Sequence, residues 1–167
     1  MCQKARFIGF SLIELVIVVV IIGIIGAIAV PRMSRGSEGA AISSLIQDLA
    51  VLNKAVDLYA AEHSGDYPHP AQIAAQLTGK TDAAGKAWSN GIAYGPYIRS
   101  IPPLPVGDKK GNTGIALSDG PGVGWIYVPQ RGLIRPNLTR SDGSTDENLV
   151  TEVINQTKAT RDDLVPP

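Results

Sequence analysis

The sequence predicts an α+β fold. One long, kinked N-terminal helix is half membrane-embedded and packs through its other half on a small antiparallel sheet of about three strands. Three observations predict it. From Leu15 to Val30 run sixteen uncharged residues, almost all Ile, Val, Ala and Gly. From Ala40 the residues Ile42, Leu45, Leu49, Leu52, Val56 and Tyr59 recur at helical steps of three and four. Beyond Gly65, β-rich runs are separated by turns of Gly, Pro, Asp and Asn.

Counted from Phe10 to Val30, the apolar segment has twenty-one residues, about 31 Å as a helix, and a bilayer hydrocarbon core is about 30 Å thick. Glu14 stands inside it. An unpaired carboxylate at a bilayer centre costs about 2–3 kcal/mol, so an acid retained there is read as functional, and its partner becomes the question. Pro31 removes one backbone hydrogen bond and crowds the carbonyl of Ala27, which kinks the helix. Gly23, Gly26, Ala27 and Ala29 let neighbouring helices approach closely. Two other readings compete: a secretory signal cut at Ala27-Ile28-Ala29, and a plain uncleaved anchor. Glu14 and the length of the apolar region weigh against the signal. Lys4 and Arg6 favour a cytoplasmic N-terminus, but Arg32 and Arg35 at the far end nearly balance them.

A leader from Met1 to Gly9 carrying Lys4 and Arg6 precedes Phe10-Ser11-Leu12-Ile13-Glu14, the apolar run and Pro31. This order resembles the prepilin-type N-terminus of type IV pilins and of the pseudopilins of type II secretion systems, over about thirty of 167 residues. The resemblance implies cleavage after Gly9 by a prepilin peptidase at the cytoplasmic face and N-methylation of Phe10. It also implies that Glu14 pairs with the new N-terminal amine of a neighbouring subunit during filament assembly, and that the helix around Pro31 loosens on entering the fibre. The implied partners are like subunits, the peptidase, an inner-membrane assembly platform and the membrane itself, with the head in the periplasm. Physics supports the pairing independently. A carboxylate and an ammonium attract strongly in a low dielectric, and such head-to-tail contacts build open helical filaments when they do not close.

A length of 167 allows one domain beyond the apolar segment. The chain has 15 basic and 15 acidic residues; loss of Lys4 and Arg6 with the leader leaves 13 against 15, a net charge of −2. That is no electrostatic footprint for nucleic acid. Cys2, the only cysteine, lies in the leader, so the processed chain has no disulfide, thiolate metal site or thiol nucleophile. It also precedes the apolar stretch, whereas a lipidated cysteine follows one.

The chain then divides into the leader (1–9), the membrane or filament-core half of the helix (10–30) and its amphipathic half (31–64). A globular head (65–140) and a polar, partly disordered C-terminal segment (141–167) complete it. The helix is expected to end near His63-Ser64-Gly65, with Gly65 as a left-handed cap. Gly65-Asp66-Tyr67-Pro68 reads as a turn and Pro70 to Leu77 as a short helix; Lys80 to Asn90 is loop-like. The proline-rich stretch 94–105 wraps over the head, with Tyr94, Tyr97, Ile101 and Leu104 as packing anchors. The alternative for this stretch is a docking ligand in polyproline form. Strands are expected at Thr113–Ser118, Val123–Val128 and Gly132–Arg135, the first two joined in a hairpin by Asp119-Gly120-Pro121-Gly122. Trp125 and Tyr127 alternate to one face and Ile126 and Val128 to the other; one pair packs on the helix stripe. Ser144 and Glu147 have capping-box spacing ahead of Leu149, Val150, Val153 and Ile154.

No catalytic constellation stands out, and the expected role is structural rather than enzymatic. His63, Asp66 and His69 form a thin candidate zinc set. Asp142 to Asn148 places oxygens at alternate positions like a calcium loop, but lacks glycine at the sixth position and an acid at the twelfth, which is Val153. Major pseudopilins, which the chain resembles, bind calcium in a C-terminal loop, so Asp119, Asp142 and Asp146 are candidate calcium ligands; no other cofactor is expected. Asn137-Leu138-Thr139 fits a glycosylation acceptor formally. The single-domain head, the Gly65-x-Tyr67-Pro68 turn and the lack of a disulfide lean towards a secretion pseudopilin over a minor or competence pilin. The alternative of another class is a membrane-tethered periplasmic enzyme or binding module.

Overall fold

The computed structural model describes the backbone of residues 11–157 and 161–165, and the side chains of 11–27, 38–156 and 163–165. The elements in chain order are α1 (Leu12–Glu62), α2 (Ile73–Thr78), β1 (Gly114–Ala116), β2 (Val123–Val128), β3 (Leu133–Pro136), α3 (Glu147–Thr157) and α4 (Arg161–Leu164). They divide into two compact units, Met1–Gly39 and Ala40–Pro167. The fold is α+β, as expected.

In the second unit the amphipathic stripe of α1 forms one wall of the core. Ile42, Leu45, Leu52, Val56 and Tyr59 are buried and Leu49 packs against them. Trp125, Tyr127 and Ile134 of the sheet meet this stripe, so of the two alternating pairs of β2 it is Trp125 and Tyr127 that face the helix. Each such side chain contributes about 1.5–3 kcal/mol through burial. Their polar ends are satisfied: Trp125 Nε1 donates to Pro102 O (2.8 Å) and the Tyr127 hydroxyl to Pro68 O (3.0 Å). Burial pushes the Tyr127 hydroxyl pKa up to about 12, helped by Tyr67 and Tyr59. Leu104 is buried, while Tyr97 and Ile101 pack on the core, so the proline-rich stretch wraps the head as its anchors predict.

The three strands lie in the order β1-β2-β3, with β2 and β3 antiparallel. The expected all-antiparallel sheet is corrected at β1, which runs parallel to β2 with Gly114 beside Val123 and Ala116 beside Ile126. Residues 117–122 carry the chain back to the start of β1 instead of turning it through a hairpin. Glycine permits this close return. The Gly114 N–H donates to Gly122 O at 2.9 Å, and a Cβ on Gly114 would lie only 2.6 Å from that oxygen. β3 forms an edge that α1 seals: Asn53 Nδ2 donates to Ile134 O (3.0 Å) and accepts at Oδ1 from Ile134 N (2.7 Å).

One boundary is as expected and one differs. α1 ends at Glu62 and Gly65 is the left-handed residue (φ 93°) after it, joined by Ser64 (φ 59°), with Gly65 N–H donating to Ala60 O (2.8 Å). α3 is capped by Asp146, whose Oδ1 accepts from Leu149 N (3.3 Å), and not by Ser144. The segment 141–167 reads in sequence as polar and partly disordered. Its described part instead places Val150, Val153, Leu164 and Val165 in the core. An apolar pair one turn apart on α3 is enough to hold a short helix against a hydrophobic wall.

Candidate functional site

α1 opens at Ser11, whose carbonyl accepts from Glu14 N (3.1 Å) and Leu15 N (3.2 Å). Glu14 is thereby set in the first helical turn, where the helix dipole favours a carboxylate. Around it the helix is apolar on every side. Each large hydrophobic residue from Leu12 to Ile25 keeps 45–79% of its surface exposed. The Glu14 side chain is exposed and makes no hydrogen bond or ion pair among the described residues. Gly9 and Phe10 lie outside the described residues. Pro31 falls within α1, with its side chain outside the described set.

Among the described residues no helix is long and apolar enough to cross a membrane. The apolar stretch with described side chains, 12–27, measures about 24 Å as a helix, short of a hydrocarbon core of about 30 Å. The expected span continues through residues 28–30, whose side chains are outside the described set.

The three candidate calcium ligands are each committed to protein donors. Asp119 Oδ1 accepts from Asn137 Nδ2 (2.7 Å) and lies 3.2 Å from Lys109 Nζ. The Asn137 hydrogen bond, followed by Lys109, holds its carboxyl below the usual carboxylate range. Asp142 Oδ1 accepts from both the N–H (2.8 Å) and the hydroxyl (2.6 Å) of Ser144, which lowers its pKa too. Asp146 Oδ1 pairs with Arg140 Nη2 (2.9 Å) while capping α3. Lys109 and Arg140 already supply the positive charge that a cation would bring. Among the described residues no group of three metal-ligating side chains comes together.

The histidines are separated in role. His63 is buried and stacked on Tyr59 at 3.9 Å between ring centroids. Its Nδ1 meets Tyr59 O (2.8 Å), and its Nε2 meets Thr81 Oγ1 (3.1 Å) and Asp82 O (3.0 Å), so both nitrogens are occupied and pin the 80–94 loop to the end of α1. His69 Nδ1 accepts from Ala71 N (3.3 Å). Asn137 is buried, with Nδ2 held by Asp119 and Val123 O, which closes it to glycosylation. Sequence reasoning passed over Arg135, which is only 6% exposed on β3. It stands opposite Ile126 across the sheet, a pairing that the local sequence does not announce.

Residues 4–30 match the family model of the prokaryotic N-terminal methylation motif, the prepilin-type leader of type IV pilins and pseudopilins. Neither the curated proteins nor the solved structures hold a match to the chain. The shared feature is therefore the N-terminal segment, and it includes Gly9, Phe10 and Glu14.

Proposed function

We propose that the chain is a structural, non-enzymatic subunit of a type II secretion pseudopilus or a related type IV pilus-like filament. It enters the inner membrane through its N-terminal helix, is cut after Gly9 by a prepilin peptidase and is methylated at Phe10. The observation that carries this reading is the helix from Leu12 to Ile25, apolar on all sides, exposed, and interrupted by one acid that has no partner among the described residues. A helix that is hydrophobic all round requires a non-aqueous surrounding. Bilayer lipid supplies it before assembly, and the helices of other subunits supply it afterwards. The amine created at Phe10 of a neighbouring copy neutralises Glu14 in that medium, and breaking the pair would strand a buried charge. The head packs its own core, faces the periplasm and decorates the fibre. The Gly65-x-Tyr67-Pro68 turn supports the secretion pseudopilus over a minor or competence pilin.

The test is the mature N-terminus by mass spectrometry, in cells with and without a prepilin peptidase, together with Glu14→Ala. The expected result is N-methylated Phe10 at the start only when the peptidase is present, and loss of filaments in the variant. A chain beginning at Val30 would overturn the reading in favour of a secreted protein. An uncut chain in both strains would leave a plain anchor.

A further inference from the structure

We infer that the outer face of the sheet carries an oxyanion site built on Arg135, which takes a carboxylate through its guanidinium. Arg135 stands opposite Ile126, and the two are 6% and 5% exposed. Neither belongs to the core that Trp125, Tyr127 and Ile134 share with α1, so their face of the sheet is the other one. The ion pairs among the described residues are Lys109–Asp119, Arg131–Asp163 and Arg140–Asp146. Arg135 belongs to none, and its buried Nε has no hydrogen-bond partner.

Other buried polar side chains of the head are satisfied. Gln76 donates to Gly85 O (2.7 Å) and accepts from His69 N (2.8 Å), and His63 and Asn137 are held as described. Burial pushes the Arg135 pKa down, and the field of a second cation, Arg131, pushes it the same way. A cation withdrawn from water without a counter-charge is costly, and none is provided among the described residues of the head. Nε is the sealed atom, so the two Nη groups keep the guanidinium's contact with solvent. That edge is the one that grips a carboxylate by two parallel N–H···O bonds. The carboxylate comes either from a small free acid or from an acidic side chain of a second copy, whose processed chain has an excess of acids, 15 against 13.

The experiment uses the full-length protein purified in detergent, as wild type, Arg135→Met and Arg135→Lys, melted against malonate at constant ionic strength. Sedimentation over a range of protein concentrations runs in parallel. Wild type is expected to gain Tm saturably with malonate. Arg135→Met should melt higher than wild type without malonate and not respond to it. Arg135→Lys, which loses one of the two charged hydrogen bonds, should show a malonate midpoint at least about tenfold weaker. Self-association that weakens equally with malonate and in Arg135→Met assigns the carboxylate to a second copy; unchanged self-association beside the malonate response assigns it to a free acid. Equal Tm responses in wild type and Arg135→Met overturn the site. Should Arg135→Met not fold, an unchanged midpoint in Arg135→Lys overturns it.

Discussion

Leu12 to Ile25 and Ile42 to Tyr59 are stretches of one helix that meet solvent in opposite ways. The first exposes every large apolar side chain, whereas the second buries its apolar stripe to 5% exposure or less except at half-buried Leu49. The difference lies in pattern rather than in hydrophobicity alone. A stripe at steps of three and four can be covered by one sheet from one side, and the chain supplies that sheet itself. A cylinder of Ile and Val has no uncovered polar side to leave in water, and a three-stranded sheet is too small to wrap it. The second stretch is therefore completed within the molecule and the first only outside it.

The comparison breaks most sharply at Leu52, which is fully buried. Leu52→Ala should cost about 2–5 kcal/mol in urea unfolding of the head. Asn53→Ala, which strips the Ile134 backbone of its donor and acceptor, should cost about 1–3 kcal/mol in the same measurement. Asp119→Asn tests a smaller, pH-dependent contribution. The carboxyl pKa is lowered in the folded state, so its stabilisation is present above the unfolded value of about 4 and fades as pH falls through the folded value. Wild type and variant should converge in unfolding free energy at low pH and differ above it, by no more than about 1 kcal/mol for a partly exposed pair. Ile17→Ala should leave head unfolding within about 0.5 kcal/mol while weakening filament assembly. An Ile17 effect on the head as large as that of Leu52 would erase the distinction between the stretches. Calcium titration, the smallest effect, should not move Tm, because Asp119, Asp142 and Asp146 already hold protein donors.

What was legible in the sequence was written in local periodicity. The helix stripe, the extent of β2 and the alternation of Trp125 and Tyr127 against Ile126 and Val128 follow from steps of 3.6 and 2, though not which pair turns inward. The leader motif is likewise contiguous, so Gly9, Phe10 and Glu14 could be named from order alone. Features that depend on where the chain goes next were not legible. Asp119-Gly120-Pro121-Gly122 announces a change of direction but not its angle, and the three residues of β1 carry too little pattern to set its sense against β2. Alternating oxygens at Asp142 to Asn148 resemble a cation loop until Ser144 and Arg140 claim the carboxylates. The burial of Val150 and Leu164 depends on a wall supplied by residues a hundred positions away. Arg135 is the same case in reverse, a charge whose surroundings no neighbour in sequence reveals.

Asn53 has a consequence for crowding. Its carboxamide presents to Ile134 the same donor and acceptor that another peptide unit would, so it stands in for a single residue of a fourth strand. Pro136, next along β3, has no N–H to offer. A sheet whose rim is finished in this way gives an adjacent extended chain nothing to zip onto. Two heads brought together along β3 would thus touch through side chains alone at this edge, and it would not fuse them into a common sheet.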